Sequence, residues 1–358
     1  MQSNMKDFSA VEFLKKLIET PSLSKEEENT RLLFEQLFFN KEIPFDIIGN
    51  NIWCKNKNFS NSKPTILLNS HHDTVKPNIS FTKDPYKAEV VDGKLYGLGS
   101  NDAGGPLVAL LATFLHYYEN DSLPYNLVFL ASAEEEISGR NGIELALHHL
   151  PKIDLTIVGE PTLMNMAVAE KGLMVLDCTA HGVAGHAARE EGKNAIYTAI
   201  KDIEWFRTFE FPKVSESLGK VKMSVTVINA GTQHNVVPDL CTYVVDVRAT
   251  DAYTLSETLE IIQQHVTSEV KPRSMRLNPS GIPLDHPIIQ RGKELGMKPY
   301  GSPTLSDQAL IPSTSIKIGP GDSARSHTAD EFIYIREIEE GIEKYIALLD
   351  QLVLNVSE

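Results

Sequence analysis

Residues 67–75, Leu-Leu-Asn-Ser-His-His-Asp-Thr-Val, constrain this chain more than any other stretch. Lys63-Pro64 opens the region, 65–68 carries the β-branched and aliphatic side chains of a central parallel strand, and polar residues begin at Asn69. The apolar run then stops at two imidazoles and a carboxylate, His71, His72 and Asp73. That pattern predicts an α/β fold, and ligands of open α/β sheets gather outside the carboxyl ends of such strands. Neutral imidazole is a common metal ligand whose second nitrogen usually donates to a carboxylate, so His71 with Asp73 could form such a pair. A surface turn with a satisfied histidine fits this one stretch equally well.

A chain of 358 residues exceeds one comfortable core, which predicts two domains. The formal charge of −14, with no basic stripe, argues against a nucleic-acid partner. Cys54, Cys178 and Cys241 are odd in number and far apart, so neither a disulfide framework nor a zinc ribbon is expected and a reducing cytoplasm fits. The first eleven residues lack an apolar signal core, and no run approaches the ~20 apolar residues of a membrane span. No membrane association is expected.

Along the chain, 10–18 reads as an amphipathic helix, and Ser24 to Glu27 as a capping box opening a helix to about residue 39. Strands follow at 44–54 and 65–68, and 88–96 reads as a hairpin turning at Asp92-Gly93. The glycine-rich run from Gly97 to Pro106 invites a nucleotide-binding reading. Its spacing refuses that, because Asp102 stands where the dinucleotide fingerprint needs its last glycine, and a carboxylate there would repel a pyrophosphate. A cation suits Asp102 better. Strand 126–131 ends in Glu134-Glu135-Glu136, which by itself equally describes an acidic helix N-terminus. Strand 155–158 ends in Gly159-Glu160-Pro161-Thr162.

This ordered series, His-x-Asp-x-Val, Gly-x-Gly-x-x-Asp, Glu-Glu and Gly-Glu-Pro-Thr, resembles the co-catalytic zinc amidohydrolases and aminoacylases of the M20 metallopeptidase family. That family includes acetylornithine deacetylase, succinyl-diaminopimelate desuccinylase and carboxypeptidase G2. The resemblance implies a zinc-exopeptidase-like, three-layer α/β/α catalytic domain with an inserted ferredoxin-like α+β lid and dimerisation domain. It also implies two zinc ions, replaceable by cobalt. His71 would bind one, Asp73 orient it and Asp102 bridge both, with Glu136, Glu160 and His327 as further ligands. Glu135 would be the general base; the alternative frame, Glu134-Glu135, leaves Gly142 one place out. The chain departs from the family's Asp-Met-Lys-Gly-Gly, since Ala103, Gly104, Gly105 and Pro106 follow Asp102 and the lysine is missing. Three carboxylates and a hydroxide would roughly neutralise two divalent cations.

From Gly172 the pattern changes: strand 173–180, helix 194–209, strands 222–229 and 241–249, helix 255–266 and strand 274–277. That order, βαββαβ, is ferredoxin-like. The expected division is 1–171 with 283–358 for the catalytic domain, and 172–282 for the lid. By the resemblance, His186 stabilises an oxyanion from the neighbouring subunit of a homodimer, while Asn235 and Arg248 bind substrate. An ion pair of Arg248 with Asp246 or Asp251 is the alternative. The expected reaction is zinc-dependent amide hydrolysis of an N-alpha-acyl-L-amino acid, N-acetyl-L-ornithine or N-succinyl-L-ornithine, in arginine biosynthesis. The rivals are a succinyl-diaminopimelate desuccinylase, a dipeptidase and, from another class, a non-catalytic metal-stabilised binding protein. A succinyl tail would need a cation, for which Lys171, Arg189, Lys193 and Arg325 are candidates.

Overall fold

The computed structural model describes residues 8–189 and 191–354. They divide into two compact units, residues 8–168, 281–300 and 306–354 in one and residues 169–280 and 301–305 in the other. The first unit opens with α1 (Ala10–Ile18), α2 (Glu28–Asn40), β1 (Phe45–Ile48), β2 (Asn51–Lys55), β3 (Thr65–His71), β4 (Glu89–Val91) and β5 (Lys94–Tyr96). It continues with α3 (Gly105–Tyr117), β6 (Asn126–Ser132), α4 (Ile143–Leu147), β7 (Leu155–Val158) and β8 (Met166–Glu170), the last two residues of which are counted with the second unit. The second unit holds β9 (Gly172–His181), β10 (Gly185–His186), α5 (Ala195–Thr208), β11 (Lys222–Ala230), β12 (Val236–Val237), β13 (Leu240–Ala249), α6 (Leu255–His265) and β14 (Glu269–Pro272). The chain returns through β15 (Ser280–Gly281), α7 (Pro287–Glu294), β16 (Pro299–Ser302), β17 (Ser315–Lys317), β18 (Phe332–Tyr334) and α8 (Ile335–Leu349).

The main sheet runs β1-β2-β6-β3-β7-β17-β8-β15, with β16 paired to β8. At its centre β3 lies parallel to both β6 and β7, and every residue of β3 and β6 is buried. Alternation explains why these strands read as unbroken apolar runs, because successive side chains enter different layers. Ile66, Leu68, Leu127 and Phe129 pack with Phe34, Leu110, Phe114 and Tyr345 on one face. Leu67, Val128 and Leu130 pack with Trp53, Ile143 and Ala146 on the other. The unit is a three-layer α/β/α sandwich. All parallel strands of its centre point their carboxyl ends the same way, so His71, Ser132 and Val158 finish at one edge.

The chain departs from the sequence pattern at two places. Glu27 caps α2 without any side-chain bond, so the expected capping box is absent. The Glu27 carboxylate instead accepts from Lys25 N and Asn50 Nδ2, each at 2.7 Å, and from Glu134 N at 3.1 Å, while Ser24 turns toward Asp73. The final strand of the second unit lies at Glu269–Pro272 and not at 274–277. There it needs only Val270 inward, and as an edge strand it tolerates Pro272.

The second unit is an antiparallel sheet in the order β11-β13-β9-β14. Alternate residues of β9 and β13 are buried, and Met174, Leu176, Tyr243 and Val245 pack with Ala199 and Phe206 of α5 and Ile262 of α6. Asn194 caps α5 by accepting from Ile196 N at 2.9 Å, and Thr254 with Glu257 forms a complete capping box on α6. The residues 301–305 also belong to this unit, a return that the sequence pattern does not signal. Among the described residues no helix is long and apolar enough to cross a membrane.

Candidate metal centre

The first unit brings seven of the expected residues together at the carboxyl edge of its sheet. His71, 1 % exposed, ends β3 and directs Nε2 at Asp102 Oδ1 (3.3 Å), Glu160 Oε1 (3.7 Å) and Glu135 Oε2 (3.8 Å). Its Nδ1 faces the Asp73 carbonyl at 3.0 Å and Asp73 Oδ1 at 3.3 Å. With a cation at Nε2, the two acceptors on this side would hold the remaining proton on Nδ1. Asp73 is itself held, accepting from Ser24 Oγ at 2.7 Å, Glu135 N at 3.0 Å and Glu136 N at 3.2 Å. One buried carboxylate therefore fixes the histidine and the acidic turn together.

The acidic triplet is a tight turn, not the N-terminus of a long helix; only Glu135–Ile137 form a single 3-10 turn. Glu134 sits at φ +53 with its carboxylate turned away to Asn141 N (3.3 Å) and Asn141 Nδ2 (3.0 Å). Glu135 reaches His71, and Glu136 Oε2 lies 2.9 Å from His327 Nε2. Gly142 is required because a Cβ there would meet the Ala133 carbonyl oxygen at 2.1 Å. Glu135 and Glu136, and not Glu134, therefore face the two imidazoles.

Asp102 lies between the two imidazoles, Oδ1 on His71 and Oδ2 at 3.7 Å from His327 Nε2. Its loop is irregular, with Gly99 at φ +73, and Glu331 holds it by accepting from Gly99, Asn101 and Asp102 N–H groups at 3.0, 2.8 and 2.9 Å. The missing lysine has a local explanation. A Cβ at Gly104 would come within 2.4 Å of the Gly99 oxygen and 2.5 Å of Leu14 Cδ1.

Two further buried carboxylates, Glu331 and Asp307, had no signal in the sequence beyond being acids in loops. Asp307 accepts from Asn69 Nδ2 at 2.8 Å and Ser132 Oγ at 2.7 Å, which ties the ends of β3 and β6 together. Burial pushes Asp307 up to about 6, and burial with the Asp102 charge pushes Glu331 up to about 8 against the three N–H groups that oppose it.

Burial raises Glu135 and Glu160 well above the usual carboxylate range, and the Glu160 charge beside Glu135 and the Asp102 charge beside Glu160 add to it. Burial alone would lower His71, but Glu135, Asp102, Asp73 and Glu160 drive it well up; the Glu136 hydrogen bond pushes His327 up to about 9. Such an excess of negative charge around imidazole nitrogens is what a divalent cation relieves. The donor atoms of His71, Asp102 and Glu136, and those of His71, Glu135 and Glu160, lie within 4.8 Å of one another. Mixed nitrogen and oxygen donors of this kind fit zinc and its first-row neighbours.

The remaining expected residues belong to the second unit. His186 on β10 pairs with Val236 of β12, and Asn235 O accepts from Ala187 N at 3.0 Å, so His186 and Asn235 are neighbours. Arg248 sits near the opposite end of β13, eight residues from Leu240, or about 27 Å along an extended strand. Its fork grips Asp246, Nε to Oδ1 at 2.8 Å and Nη2 to Oδ2 at 3.1 Å, which is the ion pair weighed as its alternative role. Among the cations considered for an acyl tail, Arg325 is committed to Glu337 through two bonds of 2.7 and 3.0 Å.

An α/β/α sandwich that gathers histidines and carboxylates at its strand ends, with a separate ferredoxin-like unit inserted, defines a metallohydrolase class. Residues 67–351 match the model of Peptidase family M20/M25/M40, and the chain belongs to that family. It is 26% identical over 371 residues to an acetylornithine deacetylase of Buchnera aphidicola subsp. Schizaphis graminum, covering 94% of this chain and 97% of the relative. It is likewise 26% identical over 353 residues to a [LysW]-lysine/[LysW]-ornithine hydrolase of Sulfurisphaera tokodaii, covering 96% and 95%. The fold matches a dinuclear metal binding peptidase of the M20 family from Bacillus subtilis with a TM-score of 0.71, at 15% identity over 95% of this chain and 96% of that one.

Proposed function

We propose that this hydrolase cleaves the amide bond of an N-alpha-acyl-L-amino acid, N-acetyl-L-ornithine or N-succinyl-L-ornithine, using two zinc ions. The observation that carries the reading is the division of labour at the acidic turn: Glu136 faces His327, Glu135 faces His71, and Asp102 stands between the two imidazoles. His71 and Glu160 would hold one ion, Glu136 and His327 the other, and Asp102 both. When bound, the pair polarises the scissile carbonyl and acidifies the attacking water.

The chain's own residues do the rest. Glu135 takes a proton from the water as the new C–O bond forms and delivers it to the departing amine nitrogen as the C–N bond breaks. Asp73 keeps the His71 ring and the Glu135 backbone in register throughout. Arg248 binds the α-carboxylate with the Nη1 edge that Asp246 leaves aside, while His186 and Asn235, which lie together and come from the neighbouring subunit, donate to the developing oxyanion and to the carboxylate beside it.

Ornithine is favoured because both relatives above carry it in their names, while their different partners, acetyl and LysW, leave the acyl side open. Assignment to arginine synthesis in the cytoplasm follows from that product. A homodimer is supported by the outer strand β11, where Val227 and Ile228 are exposed beside the exposed Tyr197 and Ile200 of α5. An uncovered apolar edge strand invites pairing with a second copy. The test is kcat/KM on acetylornithine, succinylornithine, acetylcitrulline, succinyl-diaminopimelate and a dipeptide. Ornithine derivatives should lead; a preference above about a hundredfold for succinyl-diaminopimelate or the dipeptide, roughly 2.7 kcal/mol of transition-state discrimination, would reject the ornithine assignment.

A further inference from the structure

Glu331 is 2 % exposed, yet neither of its oxygens belongs to a potential metal-binding group among the described residues. They are occupied otherwise. Oε1 accepts from Asn101 N and Asp102 N, and Oε2 from Gly99 N. Both oxygens are thus turned to main-chain donors of one loop. The Glu331 main chain adds a fourth tie, its carbonyl accepting from Gly97 N at 3.0 Å. The Asp102 loop has no ladder of its own, so these four bonds hold its path between β5 and α3 together with Leu98 N to the Pro85 carbonyl at 2.8 Å and the Asn101 side chain, which accepts from Asp322 N and donates to the Asp322 carbonyl, each at 3.0 Å.

Glu331 also stands four residues after His327, on the segment that enters β18. One side chain thus connects the loop that presents Asp102 to the loop that presents His327, whose facing atoms are 3.7 Å apart. We infer that Glu331 is a positioning residue for the metal pair: its carboxylate, spent on three backbone N–H groups, sets Asp102 against His327 without touching either ion. This role rests on the two-metal reading given above. It acts through hydrogen-bond geometry, with each oxygen placed against the backbone of the Asp102 loop.

Glu331→Gln separates position from packing, because glutamine keeps the volume but sets an NH2 group against backbone N–H donors. Glu331→Asp keeps both oxygens and withdraws them by one methylene. Neighbouring Asp330 supplies the control: it pins the same segment to Thr82 N and Lys83 N, at 2.8 and 2.9 Å, with no bond to the Asp102 loop. The probe is cobalt(II), titrated into metal-free wild type, Glu331→Gln, Glu331→Asp and Asp330→Asn, and followed by visible absorption and chelator competition. Expected is a 10- to 100-fold weaker hold on cobalt in both Glu331 variants, the usual cost of losing an outer hydrogen-bond partner, with an altered cobalt spectrum. Asp330→Asn should stay within threefold of wild type, with the wild-type spectrum. If Glu331→Gln does not fold, Glu331→Asp carries the same expectation. A folded Glu331 variant with wild-type affinity and spectrum would overturn the inference, as would equal weakening in Asp330→Asn at a matched loss of Tm. Wild type that takes up no cobalt would overturn the two-metal reading itself, and this role with it.

Discussion

Glu136 and His327 meet at 2.9 Å across 191 positions of sequence. The contact sets Glu136 beside His327 and leaves its neighbour Glu135 on the His71 side, and on the proposed reading the adjacent glutamates carry different work. Glu135→Ala should keep near-normal zinc and lose most turnover, by the 10²- to 10⁴-fold typical of a general base, whereas Glu136→Ala should lose zinc as well. Glu134→Ala should lose stability instead, since its carboxylate serves Asn141. Metal analysis and turnover on the same preparations decide this, and a metal-replete, inactive Glu134→Ala would move the frame by one.

Ser24 gives a second prediction. Its hydroxyl was expected to cap α2 but lies 2.7 Å from Asp73 Oδ2. Ser24→Ala should therefore leave helix content unchanged and cost about 1.5 to 3 kcal/mol, the range for a hydrogen bond to a charged group. It should also weaken metal retention, because Asp73 orients His71. Circular dichroism, urea unfolding and zinc competition read the three effects separately; a loss of helicity without weaker zinc would restore the capping role.

The cysteines are predicted to be chemically silent. Cys54, Cys178 and Cys241 are each no more than 1 % exposed, and burial pushes the Cys178 thiol up to about 12. A disulfide reagent at pH 8 should find no reactive thiol in the native protein and three after denaturation. Rapid labelling of any one in the native state would contradict the packing.

How much of this was legible follows from what leaves a pattern. The residues proposed as ligands stood out because each sits beside the end of a strand or in a glycine-framed loop, where apolar sequence breaks abruptly to His71, Asp102, Glu136 or Glu160, and the family resemblance supplied their roles. Asp307, Glu331 and the rerouted Ser24 were not, because a carboxylate that accepts distant N–H groups has no sequence period and no fixed partner. The same limit applies to strands. β9 and β13 alternate cleanly, but β8, Met-Ala-Val-Ala-Glu, is buried at every position and has two alanines, while β14 has a single inward side chain. Arg248 shows a different ambiguity: the residue type suits substrate and ion pair equally, and the Asp246 contact satisfies the second without excluding the first.

The last prediction concerns where His186 acts. His186 and Asn235 lie together by β12, whereas Arg248 lies eight residues along β13, so about 27 Å of strand stands between the two ends of the unit. An acylated amino acid is far shorter than that, and it cannot touch Arg248 and His186 of the same chain. If both groups serve one substrate, they must come from different copies. A His186→Ala chain mixed with a Glu135→Ala chain should then regain activity, because one site in each heterodimer keeps an intact base and an intact histidine. Half of the exchanged dimers are mixed and each holds one whole site out of two, so recovery should approach about a quarter of wild type on statistical exchange of a two-fold assembly. Sedimentation and subunit exchange of tagged chains are measured on the same mixtures. Confirmed exchange with no recovery, or a monomer at assay concentration, would sink the arrangement in trans.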